Sequence, residues 1–289
     1  MRGLFAESLT VGDAIGFGAT TLDESDCASR DTCADATLLL RHVLNIPLAE
    51  IYACRERPLS REQTEQFNAL IRQRAQGKPI QYITGEQEFF GLPFHVTPDV
   101  LIPRPETEHL VEAAIARLKD FESPRIVDVG TGSGAIAVAV AHALPQCEMT
   151  ALDISPASLK VAEKNAQRNG VADRIRFLQS DLLAAVGNET FDAVLSNPPY
   201  IAERERKTLP KEVRDYEPAQ ALFAGKTGLE LYQRLIPAAQ SQLAPAGWLM
   251  MEIGHSQRDP VRALLRDWAD VDFVADLQGI PRVVVAHKS

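Results

Sequence analysis

From residue 125 to the carboxyl end, the sequence alternates short apolar runs with segments of helical periodicity, and this alternation limits the possible folds most strongly. Seven apolar runs are predicted to be strands, at residues 126–129, 149–152, 175–178, 191–195, 248–253, 271–274 and 282–286. Helices are predicted between them at residues 135–143, 156–169 and 228–242, with Ser155 as the cap of the second. Such alternation is typical of a doubly wound α/β fold with a largely parallel sheet.

The predicted strand at residues 191–195 is followed by a stiff tetrapeptide, Asn197, Pro198, Pro199 and Tyr200. In open α/β sheets, ligands bind at the carboxyl ends of the strands, where this tetrapeptide stands. Prolines have a fixed φ and no N–H, so the Pro198 carbonyl and the Asn197 side-chain oxygen are predicted acceptors for an outside donor. A planar NH2 group has two hydrogens for this pair, and holding both aims the nitrogen's electron pair towards an electrophile. Tyr200 is predicted to offer a flat face to a planar substrate group, and an ordinary proline-rich turn is the alternative interpretation.

A glycine-rich loop joins the first predicted strand to its helix and consists of Gly130, Thr131, Gly132, Ser133 and Gly134. Glycines allow the backbone to pass close to a ligand, here at a helix N-terminus. Asp153 ends the second predicted strand, where a carboxylate can accept both hydroxyls of a ribose. With Ala135 the loop also matches the dinucleotide pattern G-x-G-x-x-A, so a nicotinamide cofactor is an alternative. The tighter G-x-G-x-G spacing and the tetrapeptide, which hydride transfer does not need, favour S-adenosylmethionine.

Two residues beyond the third predicted strand are candidates for contacts with an adenine ring. The Asp181 carboxylate is placed to accept a hydrogen bond from the adenine amino group, and Leu182 is placed to pack on the ring face. Asp181 is equally consistent with a helix cap. The residue pattern alone leaves both interpretations of Asp181 open.

The first 77 residues have helical patterns and are predicted to form a separate domain. Asp31 is a predicted helix cap, and Ser60 with Gln63 resembles a capping box that opens another helix. Apolar residues at helical spacing follow both positions. These features predict a small all-helical domain at the beginning of the chain.

A β-hairpin linker is predicted next, over residues 78–100, with strands at residues 79–85 and 89–96. Residues 101–289 are predicted to form the second domain, which contains the glycine loop and the tetrapeptide. The chain is long enough for two domains, and its hydrophobic content of 45% is sufficient for a core in each.

Composition and charge exclude several classes of protein. No apolar run has transmembrane length and no leader-like segment begins the chain, so a cytoplasmic protein is expected. The formal net charge of −9 argues against broad binding to a nucleic-acid backbone. The cysteines form no C-x-x-C pair and have no histidines at metal-ligand spacing, so reduced thiols and no metal are expected at Cys27, Cys33, Cys54 and Cys147.

A resemblance to the class I S-adenosylmethionine methyltransferases that modify planar amino groups is carried by residues 130–134, 153, 180–181 and 197–200. The chain is further similar to the HemK/PrmC-type glutamine methyltransferases of bacterial peptide-chain release factors in residues 81–85, 89–91 and 101–108. The match continues downstream in residues 216–218, 221–225, 252–254 and 276–279. It covers residues 78–289 by these motifs and residues 1–77 only by length and helical character.

The resemblance implies a seven-stranded methyltransferase sheet and a methyl-transfer reaction. The implied reaction transfers a methyl group from S-adenosylmethionine to the side-chain amide nitrogen of the glutamine in the Gly-Gly-Gln motif of class I release factors, and it yields S-adenosyl-L-homocysteine. The implied donor site lies over residues 130–134, with Asp153 on the ribose, Leu182 near the adenine and Asn197 facing the reacting amide. The family often has an aromatic residue where Leu182 stands. Candidate catalytic residues are Asn197, Pro198 and Tyr200, with Pro199 completing the substrate site, and a monomer is expected.

Other functions share part of this pattern. A sister group that methylates a ribosomal-protein glutamine has the same tetrapeptide but usually differs at Arg-Pro-Glu-Thr-Glu, so residues 104–108 favour the release factor. Enzymes that methylate adenine or cytosine amino groups usually have a basic groove, which the acidic balance of this chain disfavours. A module that only binds S-adenosylmethionine would have no need of intact residues 197–200. No direct nucleic-acid substrate is therefore expected.

Overall fold

The computed structural model describes residues 9–25 and 31–288, so the prediction for Cys27 lies outside the described residues. The chain divides into two units, Met1–Gly85 with Pro210–Tyr216, and Glu86–Leu209 with Glu217–Ser289. The first unit therefore extends past the boundary predicted at residue 77 and includes a short segment from later in the chain. The linker predicted at residues 78–100 is divided between the units, because its first eight residues belong to the first unit and the rest to the second.

The first unit is helical, as predicted. Its helices span Val11–Asp23, Thr32–Leu44, Leu48–Ala53, Arg61–Ala75, Ile80–Thr84 and Lys211–Tyr216. The capping box is confirmed, because the Gln63 N–H donates to Ser60 Oγ at 3.1 Å and the Ser60 N–H donates to Gln63 Oε1 at 2.9 Å. The buried Arg74 guanidinium donates to Asp35 at 2.7 Å and to Glu212 at 3.0 Å, which ties the later segment to this unit.

The strand predicted at residues 79–85 is wrong, because this stretch forms the helix Ile80–Thr84. Pro79 precedes the helix with a φ of −54°, and Gly85 ends it in the left-handed conformation with a φ of +76°. A leading proline and a closing glycine favour one helical turn over an extended strand. The hairpin that follows consists of β1, Glu86–Phe89, and β2, Leu92–His95, so its turn falls inside the strand predicted at residues 89–96.

The second unit contains the predicted seven-stranded sheet. Its strands are β3, Arg125–Val129; β4, Glu148–Asp153; β5, Ile175–Gln179; β6, Phe191–Ser196; β7, Leu243–Glu252; β8, Ala269–Ala275; and β9, Pro281–His287. Their order in the sheet is β5-β4-β3-β6-β7-β9-β8. The first five are parallel neighbours, and β9 is antiparallel to both β7 and β8. The prediction of a doubly wound, mostly parallel sheet is confirmed.

Helices cover both faces of this sheet. One face carries Glu108–Leu118, Ala135–Ala143 and Pro156–Arg168, and the other carries Glu230–Gln242 and Arg258–Leu264. Shorter helices span Pro105–Thr107, Ala172–Arg174, Ala184–Val186, Glu203–Thr208 and Ala219–Leu222. The strand order reverses between β3 and β6, and in such sheets ligands bind beyond the carboxyl ends of the strands at this point. Within residues 9–25 and 31–288, no helix has both the length and the apolar character needed to cross a membrane.

Candidate active site

A cavity of about 460 Å³ opens at the carboxyl ends of the central parallel strands. Most of the predicted site residues line it: Gly130, Thr131, Gly132, Ser133, Asp153, Asp181, Leu182, Asn197, Pro198 and Pro199. Gly134 and Tyr200 are not among the lining residues. A second depression of about 600 Å³, beside Lys160 and Lys164, contains none of the predicted residues. Because the first cavity has the size of a small-molecule pocket and joins both predicted motifs, it is the candidate active site.

Backbone geometry and one carboxylate hold the glycine loop open. Gly130, Gly132 and Gly134 have φ angles of +76°, +56° and +81°, which residues with a Cβ rarely adopt. The Gly132 N–H donates to Asp153 Oδ2 at 2.9 Å, and the Ser155 N–H donates to Asp153 Oδ1 at 2.9 Å. A Cβ at Gly130 or Gly132 would meet no protein atom within 4 Å. The loop therefore leaves room for a ligand directly against its backbone.

Two carboxyl groups lie next to this loop. Burial raises the pKa of Asp153, and the hydrogen bonds from the backbone of Ser155 and Gly132 oppose that rise. Asp128 in β3 is fully buried and accepts a hydrogen bond from Thr131 Oγ1 at 2.7 Å. Burial raises the pKa of Asp128 to about 7. Asp128 thus anchors the loop from the core side, whereas Asp153 reaches the cavity.

At the adenine end predicted from the sequence, Asp181 and Leu182 both line the cavity. Asp181 is exposed, and its Oδ2 accepts a hydrogen bond from Arg234 at 2.6 Å. The alternative interpretation of Asp181 as a helix cap is wrong, because the short helix Ala184–Val186 that follows has Leu183 at its N-cap and no side-chain cap. Leu182 is half-buried and has a φ of +51°. Leu182 therefore forms part of the cavity wall in a backbone conformation that leucine rarely adopts.

The tetrapeptide is held by side chains that come from distant parts of the second unit. Asn197 Nδ2 donates to Thr107 Oγ1 at 3.1 Å, and Thr107 Oγ1 donates to Glu252 Oε2 at 2.5 Å. Tyr200 donates from its hydroxyl to Glu252 Oε1 at 3.2 Å. Thr107 is 4% exposed and Glu252 is 2% exposed. A buried carboxyl group therefore joins both ends of the tetrapeptide.

The sequence predicted that the Tyr200 ring faces the substrate, but the ring does not line the cavity. Its ring packs against the apolar core on one face of the sheet, and its hydroxyl is committed to Glu252. Burial, followed by the nearby Glu252 charge, raises the pKa of Tyr200. Gln257 Nε2 donates to the Tyr200 carbonyl at 2.9 Å, and a Cβ at Gly228 would lie 2.4 Å from the same carbonyl oxygen. Tyr200 therefore anchors the loop instead of forming its substrate face.

Arg104 also lines the cavity and was not predicted as a site residue. Its guanidinium donates to the carboxylate of Glu217, whose side chain is 1% exposed. Thr107, Glu252 and Gln257 were likewise missed. Thr107 and Glu252 lie in stretches that carried the resemblance, but no spacing rule connects two residues 145 positions apart.

Two family models match the chain. The PrmC N-terminal domain matches residues 13–85, and the methyltransferase small domain matches residues 107–213. The first match covers most of the helical unit, including residues up to 77, which resembled the family only by length and helical character. The second covers the glycine loop, Asp153 and the tetrapeptide.

Curated relatives extend over nearly the whole chain. A release factor glutamine methyltransferase of Koribacter versatilis is 42% identical over 281 residues, which is 97% of this chain and 99% of the relative. Proteins of the same name are 46% identical in Chlorobaculum tepidum, over 86% of this chain and 87% of the relative, and 40% identical in Salmonella typhimurium, over 91% and 93%.

Solved structures show the same fold at low identity. The catalytic domain of hMettl16, solved with a MAT2A 3'UTR hairpin, has a TM-score of 0.56 and 20% identity, over 69% of this chain and 76% of that one. The Thermus thermophilus 16S rRNA N2 G1207 methyltransferase, solved with AdoMet and guanosine, has a TM-score of 0.54 and 20% identity, over 71% and 50%. At this identity the likeness concerns the fold alone.

Proposed function

The chain belongs to the release factor glutamine methyltransferase family, and we propose that it transfers a methyl group from S-adenosylmethionine to the side-chain amide nitrogen of a release-factor glutamine. We place that glutamine in the Gly-Gly-Gln motif of bacterial class I release factors. One observation carries this assignment: a glycine loop with room against its backbone and the acceptor atoms of Asn197 and Pro198 border the same cavity.

The acceptor end of the cavity fits an amide NH2 group. Asn197 Nδ2 is used by Thr107, so only the side-chain oxygen Oδ1 is left for another donor. Among the described residues, neither Asn197 Oδ1 nor the Pro198 carbonyl oxygen accepts a hydrogen bond. A primary amide has two hydrogens on one nitrogen, which this pair of acceptors can bind together. A secondary amide would offer only one.

The donor end fits S-adenosylmethionine. When bound, this donor supplies a methyl group already activated on a positively charged sulfur. Gly130 and Gly132 would lie under it, and Asp153 would accept hydrogen bonds from its ribose hydroxyls. Leu182 would contact the adenine ring, and the second carboxylate oxygen of Asp181 would accept from the adenine amino group. S-adenosyl-L-homocysteine would leave from the same place.

The residues act mainly by orientation. An amide nitrogen is a weak nucleophile because its electron pair is delocalised into the carbonyl group. Binding both hydrogens in fixed directions favours a pyramidal nitrogen whose electron pair points at the methyl group. Orientation of two reactants can lower a barrier by about 7–11 kcal/mol, whereas one hydrogen bond contributes about 1 kcal/mol net. No base is needed before attack, because the proton can leave after the methyl group has been transferred.

We assign recognition of the release factor to the helical first unit. This role is supported by the match of residues 13–85 to the PrmC N-terminal domain, and the formal net charge of −9 argues against a nucleic-acid substrate. A short Gly-Gly-Gln peptide should then be a poor substrate, with a kcat/KM roughly 100-fold below that of the whole factor, since the main contacts would be missing. The cytoplasmic location and the monomeric state remain predictions.

Methyl transfer from labelled S-adenosylmethionine tests the proposal. The full chain is incubated separately with a purified release factor, the same factor with its Gly-Gly-Gln glutamine changed to alanine, ribosomal protein and DNA. Label is expected only in the unchanged factor. Label in the glutamine-to-alanine factor would contradict the assigned atom, and label in ribosomal protein or DNA would contradict the assigned substrate.

A further inference from the structure

A chain of three hydrogen bonds, one of them buried and two partly buried, ends at the proposed acceptor. These hydrogen bonds begin at Glu252, which lies at the end of β7. The Glu252 carboxylate accepts from the Tyr200 hydroxyl at 3.2 Å and from the Thr107 hydroxyl at 2.5 Å. The chain of hydrogen bonds continues from Thr107, just before the helix Glu108–Leu118, to Asn197 Nδ2 at 3.1 Å. The backbone carbonyl of Glu252 accepts from the buried Tyr232 hydroxyl at 2.9 Å, which holds the backbone of Glu252 in place. All of these residues belong to the second unit.

The direction of these hydrogen bonds determines which way the Asn197 amide faces. A threonine hydroxyl has one hydrogen, and a carboxylate can only accept. The Thr107 hydrogen is therefore used on Glu252, and the remaining lone pairs of Thr107 Oγ1 can only accept. Of the two ends of the Asn197 amide, only the NH2 end can donate to such an oxygen. The flipped amide would place two acceptor oxygens against each other.

We propose that Thr107 and Glu252 are positioning residues, which lock the Asn197 amide with its oxygen directed towards the substrate nitrogen. This inference rests on the proposed function of Asn197 as an acceptor. Thr107 lines the cavity beside Asn197 and Glu252 does not line it; in this proposal both residues act on the reaction through Asn197. Tyr200 contributes a second donor to the same carboxylate, which explains why the last residue of the tetrapeptide carries a hydroxyl without facing the cavity.

The same chain of bonds makes the lock depend on the charge of Glu252. Burial raises the pKa of Glu252 to about 7, with the hydrogen bonds from Thr107 and Tyr200 lowering it, Glu106 raising it and Arg282 lowering it. A protonated Glu252 can donate to Thr107, which frees the Thr107 hydrogen to point at Asn197. The flipped amide is then allowed. Transfer should therefore weaken as the pH falls through about 7.

The main experiment compares Thr107→Val with Thr107→Ser in the full chain, with release factor and S-adenosylmethionine as substrates. Valine keeps the shape and removes the hydroxyl, whereas serine keeps the hydroxyl. We expect kcat to fall about 10–100-fold in Thr107→Val, with the Kd for the donor and the KM for the factor unchanged. Thr107→Ser should stay within about threefold of wild type because the hydrogen bond remains.

The outcomes separate this inference from the proposed function. If Asn197→Ala abolishes transfer while Thr107→Val keeps the wild-type kcat, the positioning role is wrong and the acceptor role stands. If Asn197→Ala also keeps the wild-type kcat, the acceptor role itself is wrong.

Should Thr107→Val fail to fold, the pH dependence of kcat in Glu252→Gln decides instead. Glutamine has the shape of glutamate but cannot ionise, so the decline of kcat below about pH 7 should disappear. A pH profile of kcat identical to that of the wild type would overturn the positioning role, because it would show that the charge of residue 252 does not control the rate of transfer.

Discussion

The glycine loop and the tetrapeptide border one cavity, but they are held in place by different means. The shape of the glycine loop comes from the backbone, with positive φ angles at Gly130, Gly132 and Gly134, and from Asp153 close in the fold. The tetrapeptide takes its shape from side chains far away in the sequence, chiefly Thr107 and Glu252. The two ends of the site therefore have different weak points.

This difference follows from what each end has to do. A donor that is bound by its shape needs room, and glycines provide room at no cost in buried polar groups. An acceptor that must point in one direction needs hydrogen-bonding partners of its own. Here the partners are the buried Thr107 hydroxyl and, through it, the buried carboxylate of Glu252. Substitutions in the glycine loop should therefore change donor affinity, whereas substitutions around the tetrapeptide should change the rate of transfer.

The largest effect is expected for Asn197→Ala. Removal of one oriented polar group at a reacting centre typically lowers kcat by about 10²–10³-fold, and we expect a loss in this range. The donor Kd, measured by calorimetry, should remain at the wild-type value because the glycine loop is untouched. Asn169→Ala is a matched control, since the Asn169 amide donates to the Pro93 carbonyl at 3.1 Å outside the cavity. Equal losses of kcat in both variants would show a general effect on the fold.

A stability measurement on Glu252→Gln gives the next largest effect. The pKa of Glu252 is about 7 in the folded protein and near 4.5 in the unfolded chain, so only the folded protein holds this proton between those values. Its stability contribution is complete below pH 4.5 and is lost as the pH rises through about 7. The free energy of unfolding of the wild type, relative to Glu252→Gln, should thus fall by about 3 kcal/mol in total, at about 1.4 kcal/mol per pH unit between about pH 4.5 and pH 7 and with little change outside that range.

Urea denaturation at several pH values checks this prediction. Asp128 also has a pKa raised to about 7, but it is present in both proteins and cancels in the difference. A difference that does not vary with pH would mean that Glu252 ionises in the folded protein as it does in the unfolded chain. Ionisation of Glu252 would then not lower the free energy of unfolding. The tetrapeptide end of the site would then carry no electrostatic cost that the glycine-loop end lacks.

The glycine loop is tested by a smaller effect, in Gly132→Ala. A Cβ at a φ of +56° costs about 1–2 kcal/mol of stability. Because this Cβ would project into the open space where we place the donor, we also expect a roughly 5–30-fold weaker donor Kd. Gly170→Ala is the matched control, because Gly170 has a φ of +70°, no atom within 4 Å of its Cβ position and no place in the cavity. Both variants should lose similar stability, and only Gly132→Ala should lose donor affinity. If the two variants bind the donor with equal Kd, the glycine loop does not form part of the donor site.

The same contrast explains how much of the molecule could be predicted. The sheet and the cavity wall follow from local patterns, since periodicity and glycine spacing are properties of neighbouring residues. The helix Ile80–Thr84 was missed because five residues are too few for periodicity to distinguish a helix from a strand. Thr107 and Glu252 were missed for another reason, because their role exists only once β7 and the end of β6 are neighbours. Tyr200 was placed in the site, but its ring faces the core.

The smallest effect concerns Leu182, at a position where the family resemblance implies that an aromatic residue often stands. Leu182 lines the donor end with a φ of +51°, and leucine, alanine and phenylalanine all carry a Cβ, so the backbone strain is the same in each variant. If Leu182 contacts the adenine ring, Leu182→Phe should tighten the donor Kd about two- to fivefold through stacking worth about 0.5–1 kcal/mol. Leu182→Ala should weaken it, with kcat unchanged in both. Three equal affinities would place the adenine elsewhere in the cavity, and a change in kcat would mean that the donor and acceptor ends are coupled.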